Sequence, residues 1–194
     1  IVFFTYRMET GFFRFGTPEA DRDTAYSTVS ISLLITTPIL CGILIFLAQP
    51  IADWMTYPEH PEYVVWFALM LGFDALAAIP FARLRLDSRP WRFAGIKLFN
   101  IAINFGGNIF LLLGCPYLIE QGWDIPFYNP DDMIAYVFLS NLLASAATFL
   151  LLSPAYLKIK LIFDKALFIK ILRYIGPLVI VGFAGLINEV LDRT

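Results

Sequence analysis

Apolar residues fall in long runs separated by short polar clusters. The runs are Ile1 to Phe15, Ala25 to Ala48, Tyr63 to Phe81, Phe93 to Leu118, Met133 to Leu152, and Ile175 to the end of the chain. A helix needs about 20 apolar residues to cross about 30 Å of hydrocarbon, and most of these runs meet that length. The short alternating strands of a membrane barrel are missing from the pattern. The runs therefore predict an all-α, polytopic membrane helical bundle of about six transmembrane helices.

The breakers agree. Gly16-Thr17-Pro18 ends the first run, and Glu19 to Asp23 reads as a short charged turn. Gln49-Pro50 closes the second run, and Ile51 to Glu62 reads as a loop. Pro38 lies inside a run, where a membrane helix accepts it as a kink. Tyr117, Trp123, Phe127 and Tyr128 around the 120–132 loop fit an interfacial aromatic belt. Ala155 to Tyr174 sets Lys158, Lys160, Lys165, Lys170 and Arg173 among Leu, Ile and Phe. Such a basic amphipathic segment lies along a membrane surface.

Composition strengthens this reading. The 194 residues are 59% hydrophobic and 15% charged, with a mean hydropathy of +0.71. Soluble domains run near about 45–50% apolar and about 25% charged. Cys41 and Cys115 lie inside apolar runs without a CxxC partner, and His60 stands alone, so no metal or disulfide pattern arises. GxSxG, HExxH, GxxxxGK[ST] and GxGxxG are absent, so neither an enzyme nor a cofactor is expected, and no nucleic-acid partner. The chain opens inside an apolar run without Met, which suggests a piece of a longer protein.

Charge orders the runs. The segments at 50–62 and 120–132 hold seven acids and no Lys or Arg. The segments at 83–97 and 155–173 hold ten basic residues, and Arg7, Arg14 and Arg22 surround the first break. The positive-inside rule puts 14–24, 83–92 and 155–173 in the cytoplasm and 50–62 and 120–132 outside.

Polar groups within the runs are the candidates for function. Arg7, Thr10, Gly11 and Arg14 share a helical stripe at spacings of three, four and seven. Arginine's fork suits phosphate oxygens, so Arg7 and Arg14 are candidates for an anionic headgroup; snorkelling at a helix end is the plainer account of Arg14. Glu9 is a candidate interhelical partner or proton-carrying carboxylate, and Asp74 a midmembrane coupling carboxylate or a structural hydrogen-bonding group. Asn100, Asn104 and Asn108, and Asn141, Ser145 and Thr148, form polar stripes that read as helix-packing groups. Asn188, Glu189, Asp192 and Arg193 cluster at the end, with Glu189 and Arg193 spaced for an ion pair.

Three stretches carry a resemblance. Tyr6-Arg7-Met8-Glu9-Thr10-Gly11-Phe12-Phe13-Arg14-Phe15, Ile79-Pro80-Phe81-Ala82-Arg83-Leu84-Arg85-Leu86 and Gly185-Leu186-Ile187-Asn188-Glu189-Val190-Leu191-Asp192-Arg193 resemble the polysaccharide-biosynthesis flippases of the multidrug/oligosaccharidyl-lipid/polysaccharide exporter (MATE-like) superfamily. That resemblance implies helices two to seven of a transporter of 12–14 helices in two lobes. Residues 1–154 would be N-terminal-lobe helices lacking the first, 155–174 the cytoplasmic linker, and 175–194 the first helix of the second lobe. It implies an inner-membrane flippase for a polyprenyl-pyrophosphate-linked oligosaccharide, working by alternating access, with protons or sodium as candidate coupling ions. It carries Arg7, Glu9, Arg14, Asn188, Glu189, Asp192 and Arg193 toward the central cavity. Two alternatives stay open: a multidrug efflux antiporter of the same superfamily, and a non-transporting membrane scaffold for polysaccharide assembly enzymes.

Overall fold

The computed structural model describes residues 2–55, 57–123, 125, 128–129, 132–157, 159–160 and 162–191, with side chains left aside at 2, 19, 20 and 183–191. The chain runs through α1 (Val2–Thr5), α2 (Met8–Gly16), α3 (Glu19–Phe46), α4 (Ala48–Trp54) and α5 (Pro61–Leu86). It continues through α6 (Pro90–Ile109), a π-helical turn (Phe110–Gly114), α7 (Cys115–Glu120), α8 (Met133–Tyr156) and α9 (Lys165–Leu191). No strand occurs among the described residues. Among the described residues, four stretches are long and apolar enough to cross a membrane: Asp21–Phe46, Pro61–Leu86, Pro90–Glu120 and Met133–Tyr156. The fold is a helical bundle of the polytopic membrane class. Large apolar side chains such as Ile39 and Phe46 of α3, Phe105 of α6 and Leu150 of α8 point outward, as lipid-facing residues do.

Local boundaries depart from the sequence pattern in three places. Glu19 to Asp23 is the first turn of α3, not a separate charged turn. Pro18 takes the extended conformation that precedes a helix, at φ −63° and ψ 127°. Arg22 then reaches back from α3 to the Gly16 carbonyl, its Nε donating at 3.2 Å, and so closes the end of α2. The expected loop at 51–62 begins as helix, since α4 continues to Trp54. The fourth run widens into a π-turn at Phe110–Gly114. Pro116 gives the reason: it has no N–H for the Leu112 carbonyl, and its ring crowds that carbonyl.

The other prolines show how such freed carbonyls are satisfied. Pro80 frees the Leu76 carbonyl in α5, and the Tyr156 hydroxyl from the end of α8 donates to it. Pro154 frees the Leu150 carbonyl, which takes the Ser153 hydroxyl at 2.7 Å. A bend in one helix is thus closed by a neighbouring helix, and another by its own chain.

One end of the bundle is tied by charge. Arg83 of α5 donates to Asp23 of α3 at 2.8 Å and approaches Asp87 at 3.6 Å. Arg22 meets Asp87 at 3.2 Å, and Lys160 meets Asp23 at 3.3 Å. The Arg83 guanidinium also lies 4.3 Å over the Tyr26 ring. The segments at 14–24, 83–92 and 155–173 therefore share one end, as their common charge predicts. Ile51, His60, Ile134 and Phe138 converge at the opposite end, around an apolar cavity.

α9 is continuous from Lys165 through Pro177 to Leu191, so residue 174, the expected limit of the linker, falls inside a helix. Its Ile171 and Ile175 are buried with Met8, Phe12, Tyr26 and Val29. The basic segment is thus half helical, with an apolar side packed on α2 and α3. Gly11 permits this approach. A Cβ there would stand 2.6 Å from Ile171 Cγ2, the stiff branch of a fully buried side chain.

Candidate functional site

Arg7 sits at a break in the first run. The chain is helical over Val2–Thr5, stops at Tyr6 and Arg7, and restarts at Met8. Both break residues have left-handed backbones, at φ 34° and φ 60°. Neither is glycine, so each conformation costs about 1–2 kcal/mol that the surroundings must offset. Part of the anchor is Tyr6, whose hydroxyl is hydrogen-bonded to Ser32 Oγ of α3 at 2.5 Å. The Arg7 carbonyl accepts from Thr10 N at 3.0 Å, which starts α2.

The break turns the Arg7 side chain toward α9. A Cβ on Gly182 would lie 3.1 Å from one Arg7 terminal nitrogen and 3.4 Å from Nε. Glycine at 182 thus makes room for the guanidinium. Arg7 Nε is buried and has no hydrogen-bond partner among the described residues. An unmade hydrogen bond from a buried charged donor is costly, so the missing acceptor is informative.

A second feature is a polar cavity of about 370 Å³ between α2, α5, α6 and α8. Its volume lies within the range of small-ligand sites. Glu9 reaches it from α2, Asp74 and Arg85 from α5, Lys97, Asn100 and Asn104 from α6, and Asn141, Ser145 and Thr148 from α8. Two acids face two bases, yet they do not pair among the described residues. Instead Lys97 Nζ lies 4.6 Å over the Phe81 ring, and the Arg85 guanidinium 4.8 Å over Phe93. Aromatic faces hold the cations, and the carboxylates stay without ion pairs.

The asparagines form the wall between α6 and α8. Asn100 Nδ2 donates to the Ala144 carbonyl at 3.1 Å and to Thr148 Oγ1 at 2.9 Å. Asn104 donates to the Asn141 side-chain oxygen, and Asn108 donates to Asn104 Oδ1 at 3.1 Å. The packing role is therefore present. Asn100, Asn104 and Asn141 also line the cavity, which periodicity did not foretell. The signal lay in three runs together: Asp74 in the third, an asparagine at every fourth residue in the fourth, and Asn141, Ser145 and Thr148 in the fifth.

The structure brings Glu9 and Asp74 to one cavity and turns Arg7 away from it, toward α9. Arg14 is exposed at the end of α2. Asn188 and Glu189 lie on α9, with their side chains outside the described residues, as are Asp192 and Arg193 altogether. Gly182 is seven residues before Glu189, which places the Arg7 contact about 10 Å nearer the start of α9. Lys97 and Arg85 are cavity groups that the sequence placed only among surface charges.

No family model, curated protein or solved structure matches the chain.

Proposed function

We propose that this chain is part of a bacterial inner-membrane flippase for a polyprenyl-pyrophosphate-linked oligosaccharide. The reading starts from the motif resemblance. The observation that carries it is Arg7, a guanidinium at a helix break whose buried Nε has no hydrogen-bond partner among the described residues. Arginine binds phosphate oxygens through charge-assisted, often bidentate hydrogen bonds, so a pyrophosphate would supply the acceptor that the described residues do not. Helix breaks inside membrane proteins occur where the backbone lines a cavity or meets another protein surface.

Positive-inside orientation turns the Arg83 end toward the cytoplasm, where lipid-linked glycans are made available to a flippase. Arg7 lies beyond Arg14 from that end, so a headgroup entering there passes Arg14 first. Glu9 and Asp74, without ion pairs among the described residues, are the groups able to bind a proton or sodium ion as the lobes alternate. Charge neutralisation at either carboxylate changes the balance with Lys97 and Arg85 inside a low-dielectric site.

The test is the topology of the lipid-linked glycan in cells. Deletion of the full-length gene, in a strain without a redundant flippase, leaves the glycan on the cytoplasmic leaflet, and a plasmid copy with Arg7→Ala fails to restore delivery. Unchanged periplasmic delivery after deletion overturns the proposal. Intact export of hydrophobic cations by the Arg7→Ala protein points instead to a drug antiporter.

A further inference from the structure

A third cavity, of about 200 Å³, opens at the basic end, between the turn joining α5 to α6 and the end of α8. It is far from Arg7 in character and shares no lining residue with the polar cavity. Its walls divide by chemistry. Leu84, Ile96, Leu151 and Leu152 form the apolar side, and Arg83, Arg89 and Arg92 the cationic side. Asp87 also lines it, but that carboxylate is already engaged by Arg22 at 3.2 Å and Arg83 at 3.6 Å. Arg89 and Arg92 have no ion pair among the described residues. Two guanidinium groups therefore line the cavity with no ion pair among the described residues, beside a carboxylate that Arg22 and Arg83 already engage.

The position fits an amphiphile. α6 has no buried residue, so this side of the bundle faces lipid. Trp91 is 90% exposed between the two arginines in sequence, the placement of an interfacial anchor. Basic pockets between membrane helices near the cytoplasmic surface bind anionic headgroups, because the low-dielectric wall strengthens each charge and the acyl chain continues along apolar residues. We propose that this cavity binds an anionic phospholipid, its phosphate on Arg89 and Arg92 and its acyl chain against Ile96 and Leu151. Arg83 borders the site and also ties α3 to α5, so the lipid sits against the clamp that fixes this end of the bundle.

The experiment uses the intact protein, reconstituted in vesicles of phosphatidylcholine with phosphatidylglycerol, then extracted and weighed by native mass spectrometry. One phosphatidylglycerol is retained per protein. The double variant Arg89→Gln/Arg92→Gln loses that retention by about 30-fold, at roughly fivefold per arginine. The control Lys170→Gln/Arg173→Gln, at two exposed residues of α9, removes equal charge elsewhere and keeps the lipid. Because Arg89 and Arg92 are exposed and unpaired, the double variant keeps the wild-type unfolding temperature, which separates lost binding from lost folding. Inorganic phosphate in excess fails to displace the lipid, since it lacks the acyl contacts. Equal retention by the double variant overturns the site. Displacement by inorganic phosphate alone overturns the lipid as its occupant and leaves a simple phosphate site.

Discussion

Arg83 and Arg7 carry the same guanidinium into the same bundle and meet opposite surroundings. Arg83 has Asp23 at 2.8 Å, Asp87 at 3.6 Å and the Tyr26 ring beneath it. Arg7 has a left-handed backbone, a glycine opposite and an Nε with no acceptor among the described residues. The first arrangement satisfies a charge so that two helices stay together. The second holds a charge at a backbone cost and leaves it open. Pairing therefore separates the arginine that maintains the fold from the one available to a ligand.

Substitution makes the contrast measurable. The largest effect is expected at Arg83→Ala. It takes from Asp23 and Asp87 the partner they share, leaving them Lys160 and Arg22, and lifts the cation from the Tyr26 ring, and unfolding in detergent shows a loss of about 1–3 kcal/mol. Arg83→Lys restores the charge but not the fork, and recovers only part. A fully stable Arg83→Ala protein would remove the structural half of the comparison. Arg7→Gly is expected to move the other way. Glycine accepts φ 60° without penalty, so stability rises by about 1 kcal/mol while glycan delivery is lost. Destabilisation together with retained delivery would make Arg7 a second scaffold residue.

Tyr156→Phe comes next. It leaves the Leu76 carbonyl without its donor, at a cost of about 1 kcal/mol in the same unfolding measurement. The smallest effect concerns His60, outside the spans. Its Nδ1 lies 2.8 Å from the Glu62 carboxylate, and that hydrogen bond raises the imidazole above its ordinary range. A raised folded-state pKa means that the contact supports the fold at low pH. The contribution is complete below the unfolded value and fades as pH rises through the folded one. Glu62→Gln returns the His60 titration, followed by NMR, toward about 6.5.

The long spans were legible because hydrocarbon imposes their length and removes charge from their middles. Pro18 marked the start of α3 by its chemistry, whereas Pro50 and Pro154 lie inside α4 and α8. The break at Tyr6 and Arg7 was not legible, because no glycine or proline stands there and the conformation is imposed by contacts with α3 and α9. The continuity of α9 was hidden for a related reason. Its lysines read as a surface segment, while Ile171 and Ile175, one turn apart, supply the buried stripe. The polar cavity needed four helices from separate parts of the chain, and no single window of sequence contains that assembly. Ser153 beside Pro154 could be read locally as a donor; Tyr156 as the donor for Leu76 could not.

That last pair bears on how the protein is made. Tyr156 follows Leu76 by 80 residues. At ribosomal rates of about 5–20 residues per second, the hydroxyl emerges about 4–16 s after the carbonyl it will cap. During that interval Pro80 already leaves the Leu76 carbonyl without its helical donor, and that carbonyl must rely on water or lipid headgroups near the insertion site. The geometry of the third span is thus completed only when the end of the fifth arrives.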